Sequence, residues 1–267
     1  MKILKNKYLI LRRFIQLGLL ALFILPSADF ILKGNLSSSL LFNSISLSDP
    51  FAYLQIFLAT FTLNVGLFIS AFLVFIIYAL FLGRAFCSFV CPVNLITNLA
   101  DFIKQNTSFK SSKLTNFKQN TRYFILFSIL ILCLIANEPI FEKYSHIGII
   151  TRGIIFMQTS AIFVAIIIFL LDLFVQRNLV CSHLCPLGAF YSLISKFTML
   201  KVSYDLNKCT KCMKCKMICP EAQVLSLITK YSGNVSNSEC IKCARCIEVC
   251  DDDALNFNLI NFLKGKK

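Results

Sequence analysis

The sequence predicts a membrane all-α domain of four transmembrane helices over residues 1–200, followed by a small α+β domain over residues 201–267. Three observations predict this division. The chain is 57% hydrophobic yet carries 27 Lys and Arg against 13 Asp and Glu, so its charges must be segregated from its apolar runs. Four of those runs are long enough to span a bilayer. Eight of the thirteen cysteines then fall in two copies of one spacing near the carboxyl end.

Crossing about 30 Å of hydrocarbon takes about 20 residues at helical rise. The four runs extend from Phe14 to Leu32, Gln55 to Leu82, Tyr123 to Phe141 and Ile154 to Val175. The first could be read as a secretory leader, because Lys2, Lys5, Lys7, Arg12 and Arg13 precede a short apolar core and Pro26-Ser27-Ala28 resembles a cleavage region. The apolar pattern resumes through Phe30, Ile31 and Leu32, which favours a retained span. Lys plus Arg number five before the first run, then one, six and two in the successive loops, and thirteen after the fourth. Positive-inside bias therefore places both termini and the middle loop in the cytoplasm. The net charge of +14 reports orientation and not nucleic acid, since no basic patch interleaves with base-stacking aromatics.

The cysteine runs are Cys209-x2-Cys212-x2-Cys215-x3-Cys219-Pro220 and Cys240-x2-Cys243-x2-Cys246-x3-Cys250, each cysteine matched 31 residues later. This is the ligand pattern of a two-cluster bacterial ferredoxin. Three close thiolates hold three irons of a 4Fe-4S cube, and the fourth crosses over to the other cube. The pattern assigns Cys209, Cys212, Cys215 and Cys250 to one cluster, and Cys240, Cys243, Cys246 and Cys219 to the second. Zinc sites usually pair two Cys knuckles across a longer spacer, and three cysteines at consecutive three-residue steps suit that tetrahedron poorly. A cytoplasmic module keeps its thiols reduced and free for metal. Lys208, Lys211, Lys214, Lys216, Lys242 and Arg245 lie among the cysteines, either offsetting thiolate charge, docking an acidic partner, or serving only the positive-inside bias.

A second repeat lies in the membrane part. Cys87-x3-Cys91-Pro92 follows the second run and Cys181-x3-Cys185-Pro186 follows the fourth, offset by 94 residues. Two helical hairpins in parallel repeat would bring four thiols toward one axis. Cysteines four apart share a helical face, and the proline disfavours helix at the second one, leaving its sulfur at a frayed end. A metal clip, a transient disulfide or a further cluster all remain open for these four. Cys133, alone within the third run, reads as packing.

The runs, the paired Cys-x3-Cys-Pro motifs opened by Gly83-Arg84-Ala85-Phe86-Cys87, and the tandem cluster motifs occur in the order found in the NapH family, which this chain resembles over nearly its whole length. That resemblance implies a membrane iron-sulfur subunit of a quinol dehydrogenase. Its expected partners are the quinone pool and a periplasmic ferredoxin-type protein, NapG-like, with electrons passing toward periplasmic nitrate reductase. MauN-type proteins are similar in size and motif, whereas the NosR and CcoG types carry additional domains. The alternative is an assembly or maintenance factor supplying reducing equivalents or metal to a partner metalloprotein.

Nothing in the chain suggests hydrolytic or nucleophilic catalysis. Two histidines, His146 and His183, cannot supply the axial ligands of a two-haem cytochrome. Quinol oxidation releases protons as well as electrons, so a quinol site needs a hydrogen-bonding or ionisable group near the membrane boundary. The candidates are Asp172, Gln158, His146 and Glu138. An intramembrane carboxylate is functional by default, but Asp172 lies close enough to Arg177 to be ion-paired instead.

Overall fold

The computed structural model describes residues 7–24, 32–34, 38–41, 45–106 and 120–259. Lys2, Lys5, the Pro26-Ser27-Ala28 segment, and Lys110, Lys113 and Lys118 of the middle loop lie outside these residues. The chain forms two compact units, one of Met1–Ile15, Ile77–Val90 and Tyr191–Lys267, the other of Gln16–Ile76 and Cys91–Phe190.

In the larger unit the apolar runs become helices, but with breaks that hydropathy averages over. The run expected from Gln55 to Leu82 starts inside helix Pro50–Thr60, which Asp49 caps by accepting the Ala52 N–H at 3.2 Å. That helix stops where Phe61 turns left-handed at φ 51° and donates its N–H to the Phe57 carbonyl. Thr60 Oγ1 accepts the Thr62 N–H at 3.4 Å, and Asn64 Oδ1 accepts the Leu67 N–H at 3.4 Å as helix Val65–Ile77 begins. Small polar side chains thus satisfy freed backbone groups on both sides of the gap. The third run is helical over Thr121–Ala136, ends at left-handed Asn137, and gives way to Ile140–Tyr144 after Pro139. The fourth begins inside His146–Ile155 and resumes as Ser160–Phe174.

Among the described residues one helical stretch, Val65–Phe89, is long and apolar enough to cross a membrane by length and composition. Pro50–Thr60, Thr121–Ala136, His146–Ile155 and Ser160–Phe174 are apolar but shorter. The first run is helical over Lys7–Ile24, and Leu32 already belongs to a strand. Strands Leu32–Gly34, Ser38–Leu41 and Ile45–Ser48 form an antiparallel sheet in sequence order, with Leu32 opposite Leu41 and Leu41 opposite Ile45. The all-α expectation for the membrane domain omitted this sheet. Its signal is the period-two alternation of Ile45-Ser46-Leu47-Ser48, too short to register beside the long apolar runs.

Close packing in this unit uses small and polar residues. A Cβ added at Gly153 would collide with Ala161, so helix His146–Ile155 lies tightly against Ser160–Phe174. Gln55, fully buried, accepts the Phe141 and Glu142 N–H groups at 3.0 and 3.3 Å, satisfying orphan donors at the start of Ile140–Tyr144.

The smaller unit is built on a three-stranded antiparallel sheet, with Leu200–Tyr204 between Gly233–Asn234 and Leu255–Leu259. Val202, Tyr204, Val224, Leu225, Ile228 and Leu255 form its core, into which Cys215 and Cys246 are packed. Two distant segments are joined to it. The Leu9 N–H, an orphan donor in the first turn of Lys7–Ile24, donates to Glu248 Oε1 at 2.7 Å, a carboxylate at a helix N-terminus. The Met199 N–H donates to the Leu80 carbonyl at 2.8 Å.

Gly83 turns the chain between the wide helical turn Tyr78–Leu82 and the residues leading to Cys87, with φ 52° and ψ −121°. A Cβ there would stand 2.6 Å from Ser195 Oγ and 2.9 Å from Thr198 Cγ2. Gly83→Ala is therefore expected to destabilise the unit by about 1–3 kcal/mol, seen as a lowered thermal midpoint in detergent. An unchanged midpoint would contradict the positive-φ turn.

Candidate iron-sulfur site

The sequence repeat is also a repeat of backbone conformation. Lys211 and Met213 take positive φ of 60° and 62°, and their counterparts Lys242 and Ala244 take 53° and 61°. Left-handed residues are uncommon outside glycine, and here they fall at the same two positions of each run, folding three cysteines into one tight loop. The Lys211 N–H donates to Cys209 Sγ at 3.3 Å. Cys215 and Cys246 then sit in the short helices Lys214–Ile218 and Arg245–Glu248.

The structure also brings the fourth cysteines across. Burial raises the Cys215 thiol, and the neighbouring Cys209, Cys250 and Cys212 raise it further. Burial likewise raises Cys219, followed by the charges of Cys243 and Cys240. A cavity is lined by Cys219, Cys240, Cys243 and Cys246 together with Val202, Val224 and Leu225. Cys219 thus lines one cavity with Cys240, Cys243 and Cys246, and Cys250 lies in the field of Cys215. The donor set fits two 4Fe-4S cubes: four thiols each, apolar walls and an N–H···S bond. Burial pushes Cys240 up to about 11 and Cys246 well above the ordinary thiol range, so metal binding must expel protons. Among the described residues no group of three His, Cys, Asp or Glu is placed to hold a single metal ion.

The surroundings of the two loops differ. Around the first, Lys211, Cys212, Met213 and Lys214 are exposed. Lys214 pairs with Asp251 at 2.9 Å, and Asp252 accepts both the N–H and the hydroxyl of Thr210. In the second loop Lys242 is 5% and Ala244 1% exposed. Residues 81–88 cover it: Ser88 Oγ donates to the Ile241 carbonyl at 2.8 Å, Lys242 Nζ to the Phe81 carbonyl at 3.0 Å, and Arg84 Nη1 to the Glu239 carbonyl at 2.9 Å. Burial pushes Lys242 down to about 8. The sequence reading missed Arg84, Ser88 and Glu221 as partners of this loop, and no local signal marks contacts made across some 140 residues of chain.

The Cys-x3-Cys-Pro motifs fall on sharp turns. Cys181 lies in the wide helical turn Val180–Leu184, and Cys185, extended at φ −75° and ψ 112°, immediately precedes helix Pro186–Ile194. Its sulfur accepts the Gly188 N–H at 3.4 Å. Cys185 is thus non-helical at the end of one helical turn, as the following proline predicts, and Pro186 opens the next helix. Arg122 Nη1 donates to the Ser182 carbonyl at 3.1 Å, and Asp172 Oδ1 accepts the Val180 N–H at 3.4 Å. Cys87 belongs to the smaller unit, while Cys91, Cys181 and Cys185 belong to the larger.

Of the quinol candidates, Asp172 is buried beneath the Cys181 turn, at the opposite end of Ser160–Phe174 from Gln158. Fifteen residues of helix put about 22 Å between those ends. Gln158 and Glu138 are exposed, Glu138 pairing with Lys143 at 2.8 Å. Asp172 is not ion-paired to Arg177. That guanidinium forks onto Asp101 at 3.0 and 3.2 Å, tying helix Val93–Asn106 to the turn ahead of Cys181.

A family model described as a 4Fe-4S binding domain matches twice, over residues 64–110 and 157–203, once around each Cys-x3-Cys-Pro motif. A 4Fe-4S dicluster domain model matches residues 201–251. The methylamine utilization ferredoxin-type protein MauN of Paracoccus denitrificans is 34% identical over 86% of this chain and 81% of its own. The ferredoxin-type protein NapH of Escherichia coli is 32% identical over 93% and 88%, and that of Haemophilus influenzae 32% over 82% and 77%. The chain belongs to the NapH/MauN family of ferredoxin-type proteins. No solved structure matches it. As a NapH/MauN-type protein it is a 4Fe-4S electron-transfer protein, and the crossed cysteines give its dicluster module a checkable geometry. Cys250→Ser should remove the same reduced-state EPR signal as Cys209→Ser, and Cys219→Ser the other, each with loss of about four irons per protein. Pairing by run, with Cys219→Ser matching Cys209→Ser, would overturn the crossing.

Proposed function

We propose that this chain is a multi-pass inner-membrane subunit of a quinol dehydrogenase, with four spans and both termini in the cytoplasm. It passes electrons from quinol through its iron-sulfur module, in concert with a periplasmic ferredoxin-type partner, toward periplasmic nitrate reductase. The observation that carries the reading is the crossed pair of cysteine sets in a unit that also contains residues 77–90, the end of the apolar helix Val65–Phe89. Cys209, Cys212, Cys215 and Cys250 hold one cube and Cys240, Cys243, Cys246 and Cys219 the other. When bound, the two cubes supply one-electron acceptors, two in number like the electrons a quinol releases. A quinol hydroxyl must also meet a hydrogen-bond acceptor in the chain. His146, whose imidazole burial pushes down to about 4, is neutral at pH 7 and able to accept a hydrogen bond from a quinol hydroxyl.

The likeness to MauN at a level similar to that to NapH supports the electron-transfer role more strongly than the choice of nitrate as final acceptor. The exposed Cys212 loop favours a second reading, in which a cytoplasmic reductant enters at the first cluster and maintains a partner metalloprotein. A menaquinol analogue added to the anaerobic protein with its periplasmic partner separates the two. Cluster reduction within the turnover time of the pathway is expected. Unreduced clusters, together with failed partner maturation in a deletion strain, would support the maintenance role and overturn the first reading.

A further inference from the structure

The two cluster loops repeat in sequence and backbone, but among the described residues buried cations attend only the second: Arg12, Arg84 and Lys242. Arg84 is 1% exposed. Its Nη1 donates to Glu221 Oε1 at 3.1 Å and to the Glu239 carbonyl at 2.9 Å, immediately before Cys240. The guanidinium lies in the field of both Cys87 and Cys240. The lysines beside the first run, Lys208, Lys211 and Lys214, are exposed to solvent, where water and salt screen them. Reduction adds one negative charge to a cube. A desolvated cation nearby favours that state far more than an exposed one does, and charge, hydrogen bonds and exposure are the levers a protein has on a cluster's potential.

Burying a guanidinium also costs free energy unless it is paired and hydrogen-bonded. Glu221, itself buried, supplies the pair, and the Glu239 carbonyl ties the result to the cluster loop. Ser88 Oγ on the Ile241 carbonyl and Lys242 Nζ on the Phe81 carbonyl fix the same loop from either side.

We propose that Arg84 is a positioning residue for the second cluster: held by Glu221, its charge raises that cluster's potential while the 81–88 segment fixes the Cys240 loop. The second cluster is then the port toward the end of the Val65–Phe89 helix, and the first the port toward solution. This rests on the assignment of Cys219, Cys240, Cys243 and Cys246 as one ligand set.

The test is an EPR-monitored redox titration of the full chain, purified anaerobically in detergent. Arg84→Gln should lower the second cluster's reduced-to-oxidised ratio about tenfold at fixed potential, about 59 mV for a one-electron couple. Glu221→Gln, which frees the cation from its counter-charge, should raise it by a similar factor. Arg84→Lys should stay close to the parent, and the first cluster should not move in any of the three. Shifts of the same sign in Arg84→Gln and Glu221→Gln, no shift, or equal shifts of both clusters would overturn the proposal. If Arg84→Gln loses the second cluster, the sign in Glu221→Gln and the retention in Arg84→Lys decide. Loss of that cluster in both of these makes the pair structural only and refutes the tuning role. A parent protein without iron refutes the ligand assignment instead.

Discussion

The packing of both cysteine runs into one small core is the constraint from which the rest of the smaller unit follows. Cys250 lies with Cys209, Cys212 and Cys215, and Cys219 with Cys240 and Cys243. Each four-thiol set is therefore closed only when both runs are folded together. The core that surrounds them is small, and several of its members are the cysteines themselves. Thiols raised by burial would not hold such a core as charges; iron-sulfur clusters bound there would take the place of their protons, and such binding would add to folding free energy. The positive-φ residues make the same point locally. Lys211, Met213, Lys242 and Ala244 accept a conformation that costs a side chain about 1–2 kcal/mol each, which is sustained where ligand bonds over-determine the loop.

A duplicated module placed in an unduplicated setting cannot stay symmetric. The residue equivalent to exposed Lys211 is Lys242, which turns inward to the Phe81 carbonyl, and exposed Met213 has as its counterpart the fully buried Ala244. A small side chain at 244 leaves room for close packing where a methionine would not fit. The asymmetry is thus written in the side chains of the repeat while the backbone remains the same.

How much of this was legible in the sequence depends on the range of the interaction. The eight cysteines and the paired Cys-x3-Cys-Pro motifs could be read because cluster chemistry fixes spacing along the chain. The small α+β module followed from them. The breaks at Phe61–Asn64 and Phe156–Thr159 could not be read from mean hydropathy, because Thr60, Asn64 and their like satisfy the backbone with few polar atoms. Arg84 illustrates the other limit. In sequence it is one basic residue in a positively charged loop, counted toward topology; its buried pairing with Glu221 joins positions 137 residues apart and has no local signature. Asp172 was legible as a costly buried carboxylate, but its place beneath the Cys181 turn was not.

Electron transfer across a membrane requires a chain of short steps, because a hydrocarbon slab of about 30 Å is too wide for one. In this protein the second cysteine run is hydrogen-bonded to the carboxyl end of the apolar helix itself, through Phe81, Arg84 and Ser88. Cys87 follows Arg84 by less than one helical turn. The segment that a topology argument treats as a basic anchor is therefore also the mounting of a redox site. A basic residue that the sequence counts toward positive-inside bias is, once buried, also placed beside a cysteine run, where charge is a lever on a cluster's potential. Selection for topology alone would leave such an arginine in water. Its burial against Glu221, at a desolvation cost that topology does not require, argues that the contact serves the cluster.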